Sequence, residues 1–237
     1  GSWDNLGDDT NNTAEFWDDL NNDGVVDANE RIDMGWLGGA DTLVYGMNNG
    51  GVAVGRAIDG MDDSVAFRWT LAGGLTVMQS LPGNSSSAVG VNNHGVSVGQ
   101  SRTLPLPNSG SRLHAVMWDA AGNITAITPP ESSFHEGGVR INDAGHILGL
   151  TNPSSPWIIR DSVRYGLGGG TSRFAGDLDE AGDAVGYARV GSAWQACRWV
   201  WNGSTYSHMP LPPLAGFADS YARGVNNVND IVGSVND

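Results

Sequence analysis

The apolar positions of this chain gather in short runs, separated by Gly, Pro, Asn and Asp, and the runs recur. Five of them are copies of one nine-residue phrase: Met47-Asn-Asn-Gly-Gly-Val-Ala-Val-Gly55, Val91-Asn-Asn-His-Gly-Val-Ser-Val-Gly99, Ile141-Asn-Asp-Ala-Gly-His-Ile-Leu-Gly149, Leu178-Asp-Glu-Ala-Gly-Asp-Ala-Val-Gly186 and Val225-Asn-Asn-Val-Asn-Asp-Ile-Val-Gly233. Each opens on an apolar residue and a turn-capping Asn or Asp, and then reaches Gly51, Gly95, Gly145, Gly182 or Asn229, residue types that tolerate positive φ. A type I turn closed by a left-handed residue joins antiparallel strands, so the phrase predicts five β-hairpins.

Each hairpin leads into a second recurring phrase: Ala66-Phe-Arg-Trp69, Ala115-Val-Met-Trp118, Pro156-Trp-Ile-Ile159 and Ala196-Cys-Arg-Trp199. Its alternating small and aromatic positions predict a third strand. A fourth short apolar segment follows (75–78, 124–127, 163–167 and 206–209), and then a Gly- or Pro-rich connector. Four strands per repeat, with final glycines at intervals of 44, 50, 37 and 47 residues, predict an all-β, five-bladed β-propeller of four-stranded blades. The fifth repeat stops after two strands. The N-terminus supplies what is missing: Ala14-Glu-Phe-Trp17 matches the third-strand phrase, Arg31-Ile-Asp-Met34 the fourth and Leu37-Gly-Gly39 the connector. The expectation is one domain over 1–237, in which residues 1–35 complete the blade begun by about 214–237.

These repeats resemble the extracellular family named for its His-Ala-Phe tripeptide, the HAF repeats. Its series runs Gly-Ile-Asn, Gly-x-Val-Val-Gly, His-Ala-Phe-x-Trp and Leu-Gly-Thr-Leu-Gly-Gly. The resemblance covers nearly the whole chain, although the tripeptide itself is degenerate: His114-Ala115-Val116 is nearest, and Val65-Ala66-Phe67 lacks the histidine. It implies a bacterial protein that is secreted or held at the cell surface, and it implies no particular activity.

Charge narrows the partners. Twenty-six acidic against twelve basic residues give −14 and a pI near 4.4, which argues against nucleic acid and anionic membrane surfaces. No apolar run approaches membrane-spanning length, so membrane insertion is not expected. A single cysteine, Cys197, cannot form an internal disulfide and occupies an apolar repeat position, as a buried inert thiol would.

The most specific motif is Asp19-Leu-Asn21-Asn-Asp23-Gly24-Val25-Val-Asp27-Ala-Asn-Glu30. It fills the twelve-residue EF-hand pattern, with oxygen ligands at one, three, five and nine, glycine at six and glutamate at twelve. A hard cation of this size wants six or seven oxygens at about 2.4 Å. Asp19, Asn21, Asp23, Asp27 and Glu30 with the Val25 carbonyl supply them, so a structural calcium ion is expected. Strands flank the loop in place of helices, and in this it resembles the Asp-x-Asp-x-Asp-Gly-x-x-Asp loops of integrin α-chain propellers. The competing reading is a solvated acidic hairpin tip.

Other features are less specific. Two residues before the first turn Asn or Asp, the repeats carry Gly46, Gly90, Arg140, Asp177 and Gly224. Arg140 and Asp177 read either as a polar anchor for a ligand in the central channel or as an ion pair between inner strands. Glu136 and Asp219 lie nearer strand ends, and no catalytic carboxylate pair is evident, so a non-catalytic protein is expected. The five histidines have no ligand spacing. Trp69, Trp118 and Trp199 recur and are expected in the core. Trp36, Trp194 and Trp201 do not recur and are candidates for a ligand-binding face. The resulting reading is a calcium-binding binding or structural module. A carbohydrate-binding lectin, a glycan-active hydrolase or lyase, and a surface protein that assembles with itself stay open as alternatives, with a glycan, another surface protein or a second copy as partner.

Overall fold

A computed structural model describes residues 13–19, 21–104, 110–128, 135–152, 154–171 and 173–236; residues 1–12 and Leu20, which the sequence pattern assigns to the closing blade and the calcium loop, lie outside them. The fold is all-β, with one short 3-10 turn, Ala28–Glu30, among the described residues. Four antiparallel sheets have four strands each. The first holds β3 (Gly38–Met47), β4 (Ala53–Asp59), β5 (Ser64–Thr70) and β6 (Gly74–Val77). The second holds β7 (Ser86–Val91), β8 (Ser97–Arg102), β9 (Leu113–Trp118) and β10 (Ile124–Ala126). The third holds β11 (Glu136–Ile141), β12 (Ile147–Thr151), β13 (Ser155–Arg160) and β14 (Val163–Gly166). The fourth holds β15 (Arg173–Leu178), β16 (Ala184–Val190), β17 (Ala193–Trp201) and β18 (Tyr206–Pro210).

Two pairs remain: β1 (Glu15–Trp17) with β2 (Arg31–Asp33), and β19 (Asp219–Val225) with β20 (Ile231–Asn236). The sequence pattern joins these as one closing sheet, whereas here they are separate two-stranded sheets. Each pair is complete as a hairpin. No turn links β20 to β1, so nothing local enforces a pairing between them.

The turn chemistry follows from the phrase. Gly51, Gly95, Gly145, Gly182 and Asn229 all lie at positive φ, between 68° and 82°. Each first strand then carries a bulge, between Val44 and Gly46 in β3 and at the matching place in β7, β11, β15 and β19. The bulge presses the backbone against the last glycine of the phrase. A Cβ on Gly55, Gly99 or Gly186 would stand 1.9–2.0 Å from a carbonyl oxygen of the first strand, so only glycine fits.

The outer half of each repeat ends in a shared hydrogen bond. The residue after the fourth strand donates its N–H to the carbonyl that opens the third-strand phrase: Met78 to Ala66, Ile127 to Ala115, Leu167 to Pro156 and Leu211 to Ala196, at 2.8–2.9 Å. Met34 donates to Ala14 in the same way at 2.9 Å, so β1 and β2 are built as an outer half. They cover the first sheet: Phe16 lies 4.9 Å from the Trp69 ring, and Met34 is buried with Phe67 and Trp69. Similar clusters join each sheet to the next, with Trp118, Trp157 and Trp199 fully enclosed.

Candidate functional site

The acidic loop connects β1 to β2, whose last pair is Trp17 with Arg31. Its side chains fold inward onto their own backbone. Asp19 accepts from the amides of Asp23 and Gly24 at 3.0 and 2.8 Å. Asn21 Oδ1 accepts from Asp23, and Asp23 Oδ1 from Val25. Asp27 caps the 3-10 turn through the Asn29 amide at 2.7 Å. Buried Glu30 ties both halves together by accepting from the Asn21 and Asp27 amides at 2.8 and 3.1 Å. Gly24, at φ 86°, makes the bend. A carboxylate oxygen that accepts one N–H keeps a lone pair, and the donor set is all oxygen with four carboxylates, the kind of set that calcium takes. As they stand, no three His, Cys, Asp or Glu side chains among the described residues are gathered tightly enough to hold a metal ion.

The hairpin turns form a second constellation, and the sequence reading missed how they connect. Asn48 Oδ1 accepts from the amides of Gly50 and Val52 and so caps its own turn. Its Nδ2 donates across to the Asn92 carbonyl of the next sheet at 2.8 Å. Asn92 does the same to Asn142 at 3.1 Å, and Asn142 to Asp179 at 2.9 Å. Asp179 has no side-chain amide to donate. There Arg198 takes over, donating to Asp179 and Asp183 at 3.1 and 2.9 Å and to Asn229 of the fifth turn at 2.7 Å. A parallel ladder runs one residue later, from the Asn49 amide to Asn93, from Asn93 to Asp143, from Asp143 to Glu180 and from Glu180 to Asn227. The Asn93 backbone and side-chain amides hold the Asp143 carboxyl below its ordinary value. The signal was in the sequence: asparagine, which both accepts and donates, stands at 48, 92 and 142, where aspartate would only accept.

Arg140 and Asp177 meet as an ion pair, Nε to Oδ1 at 3.5 Å, with side chains 42% and 26% exposed. At that exposure the pair is worth about 0–1 kcal/mol. Asp177 also accepts the Val225 amide at 2.9 Å, which ties β15 to β19. Of the three tryptophans picked for a ligand face, Trp36 is exposed. Trp194 is half-buried against Tyr187, with Arg189 over its ring. Trp201 packs on Tyr165 and Tyr206, under Arg160, and supports the fourth sheet. Trp17, placed by the pattern in a strand, is exposed as well.

The remaining candidate acids are taken up in structure. Burial pulls the Glu136 carboxyl upward, but hydrogen bonds from Arg164 and Thr151, at 2.7 and 2.6 Å, outweigh it and leave it below its ordinary value. Asp219 accepts from the Trp194 amide and the Tyr221 hydroxyl. Burial pushes the Cys197 thiol up to about 12, which makes it a poor nucleophile at neutral pH. No protein-family model matches the chain, and no curated protein does so either.

Proposed function

We propose that the chain is a five-bladed propeller of the HAF-repeat kind that acts outside a bacterial cell as a calcium-stabilised, non-catalytic binding module. The observation that carries the ring is a pair of unmated surfaces. Val54, Val98, Leu148 and Val185 occupy one position of the second strand and are fully buried against the following sheet. Val232, at the same position of β20, is 66% exposed. Ala88, Ala175 and Ala222 form the receiving side at three junctions and are buried, while their counterpart in β3, Val44, is 39% exposed. Val232 and Val44 are the two halves of a fifth junction, and β1–β2 already covers the first sheet as the outer half of the missing blade. The polar ladder supports the same closure, since its ends at Asn227 and Asn49 continue one series.

Calcium would be held by Asp19, Asn21, Asp23, Asp27, Glu30 and the Val25 carbonyl, and it would draw together and neutralise the four carboxylates of the hairpin that fastens the ring. Extracellular sites bind at about 10⁻⁴–10⁻³ M, and an ion at ten to a hundred times its dissociation constant stabilises by about 1.4–2.7 kcal/mol. Melting followed by circular dichroism should therefore fall by several degrees when chelator replaces excess calcium, and Asp23→Ala should abolish the difference. Identical melting in calcium and in chelator would leave the loop a self-capped, solvated hairpin.

A further inference from the structure

A cleft of about 450 Å³ opens between the first two four-stranded sheets, within the range of small-ligand sites, about 300–1,000 Å³. Tyr45, Arg56 and Ser64 line it from the first sheet, and Ser87, Gln100 and Arg102 from the second. Its position follows from side-chain size at one level of the repeat. In the first four phrases the residue after the last glycine is Arg56, Gln100, Leu150 or Tyr187, each paired across to the first residue of the third-strand phrase. Between the fourth sheet and β19 this level is filled by rings: Tyr187 stacks on Phe174 and meets Tyr221 at 4.9 Å, with Arg223 over both tyrosines. Between the first two sheets Arg56 stands in the place of Tyr187 and Ser87 in that of Tyr221, and the space stays open.

The charge of the cleft is opposite to that of the chain. All twelve basic side chains are arginine, against twenty-six acids, yet among the described residues no carboxylate lines this space and two guanidiniums do. Arg31, Arg140, Arg164 and Arg198 are ion-paired, whereas Arg56 and Arg102 pair with no carboxylate among the described residues. Neutral oxygens hold them: Arg56 Nε donates to the Tyr45 hydroxyl at 2.9 Å, and Arg102 to Ser111 at 3.0 Å. A planar guanidinium steadied on one side presents its remaining N–H groups as a fork for carboxylate or sulfate. Ser64, Ser87 and Gln100 add the short-range donors and acceptors that a polyol needs, and the Tyr45 ring, 43% exposed for the residue, offers a face for a sugar ring.

We propose that this cleft binds an acidic saccharide, with its carboxylate or sulfate between Arg56 and Arg102 and its ring against Tyr45. The inference rests on the reading of the chain as a binding module and is independent of calcium. The test is calorimetric titration in chelator with trigalacturonate, with galactotriose as the neutral arm and sodium sulfate as the free-anion arm. Saturable binding of trigalacturonate alone is expected, weakened about tenfold or more by Arg56→Gln and by Arg102→Gln in proteins that melt like the parent. Arg189→Gln, whose side chain lies over Trp194, should bind as the parent does. Absence of trigalacturonate binding, equal binding of galactotriose, unchanged affinity in both cleft variants, or displacement by sulfate at equal concentration would each overturn the proposal. Calcium-dependent melting with no saccharide binding would reject the cleft and leave the calcium reading standing.

Discussion

Replacing Gly99 by alanine is expected to destabilise the protein by about 3 kcal/mol, the upper end of what overpacking usually costs. The added methyl would stand 2.0 Å from the Ser87 carbonyl oxygen and 2.9 Å from the Ala88 Cα, both backbone atoms of a hydrogen-bonded strand. Neither can swing away as a flexible side chain would. Relief would require opening the β7 bulge, which also positions Ala88 and Gly90 against the neighbouring sheets. Gly166→Ala is the control, because nothing lies within 4 Å of the position its methyl would take and its φ is not left-handed. Denaturant unfolding should separate the two variants clearly, and a Gly99→Ala protein within about 0.5 kcal/mol of the parent, the range of an ordinary surface substitution, would contradict the packing described.

Removing residues 1–35 is the second large effect. Met34 is buried and Phe16 and Ile32 are packed beside it over Trp69 and Phe67. Burial of an aliphatic or aromatic side chain is worth about 1.5–3 kcal/mol, so the loss comes to roughly 4 kcal/mol or more. It also bares the face of the first sheet, an aggregation hazard. The shortened chain should be recovered as aggregate or melt far below the parent, as seen by sedimentation and calorimetry. A soluble 36–237 fragment that melts cooperatively at the parent temperature would show that the N-terminal hairpin is dispensable.

What could be read from the sequence was set by local chemistry. Positive φ at Gly51 or Asn229 follows from residue type, and the likeness of 14–17 and 31–34 to the outer half of a repeat reappears in the Met34–Ala14 hydrogen bond. What escaped lies between repeats. The Asn48, Asn92 and Asn142 donors reach partners 37–50 residues away, a separation that no turn rule constrains. Trp201 does not recur, and its partly buried place against the core cluster, beside Tyr165 and Tyr206, is a contact between sheets that no local pattern marks. The cleft depends on Ser87 being smaller than Tyr221, its counterpart beside the bulge of β19, a comparison that needs the strand register.

The proposed closure into a ring can be tested at its seam. Val44→Cys and Val232→Cys together place thiols on the two unmated faces, and the native Cys197 is buried and unreactive. At three other junctions the equivalent residues, Val54 with Ala88, Leu148 with Ala175 and Val185 with Ala222, share one packed cluster. Treatment of dilute protein with a short bis-maleimide, followed by mass spectrometry and gel filtration, should give a monomer crosslinked between residues 44 and 232. Crosslinks found only between two chains, or two separately capped thiols, would contradict the ring.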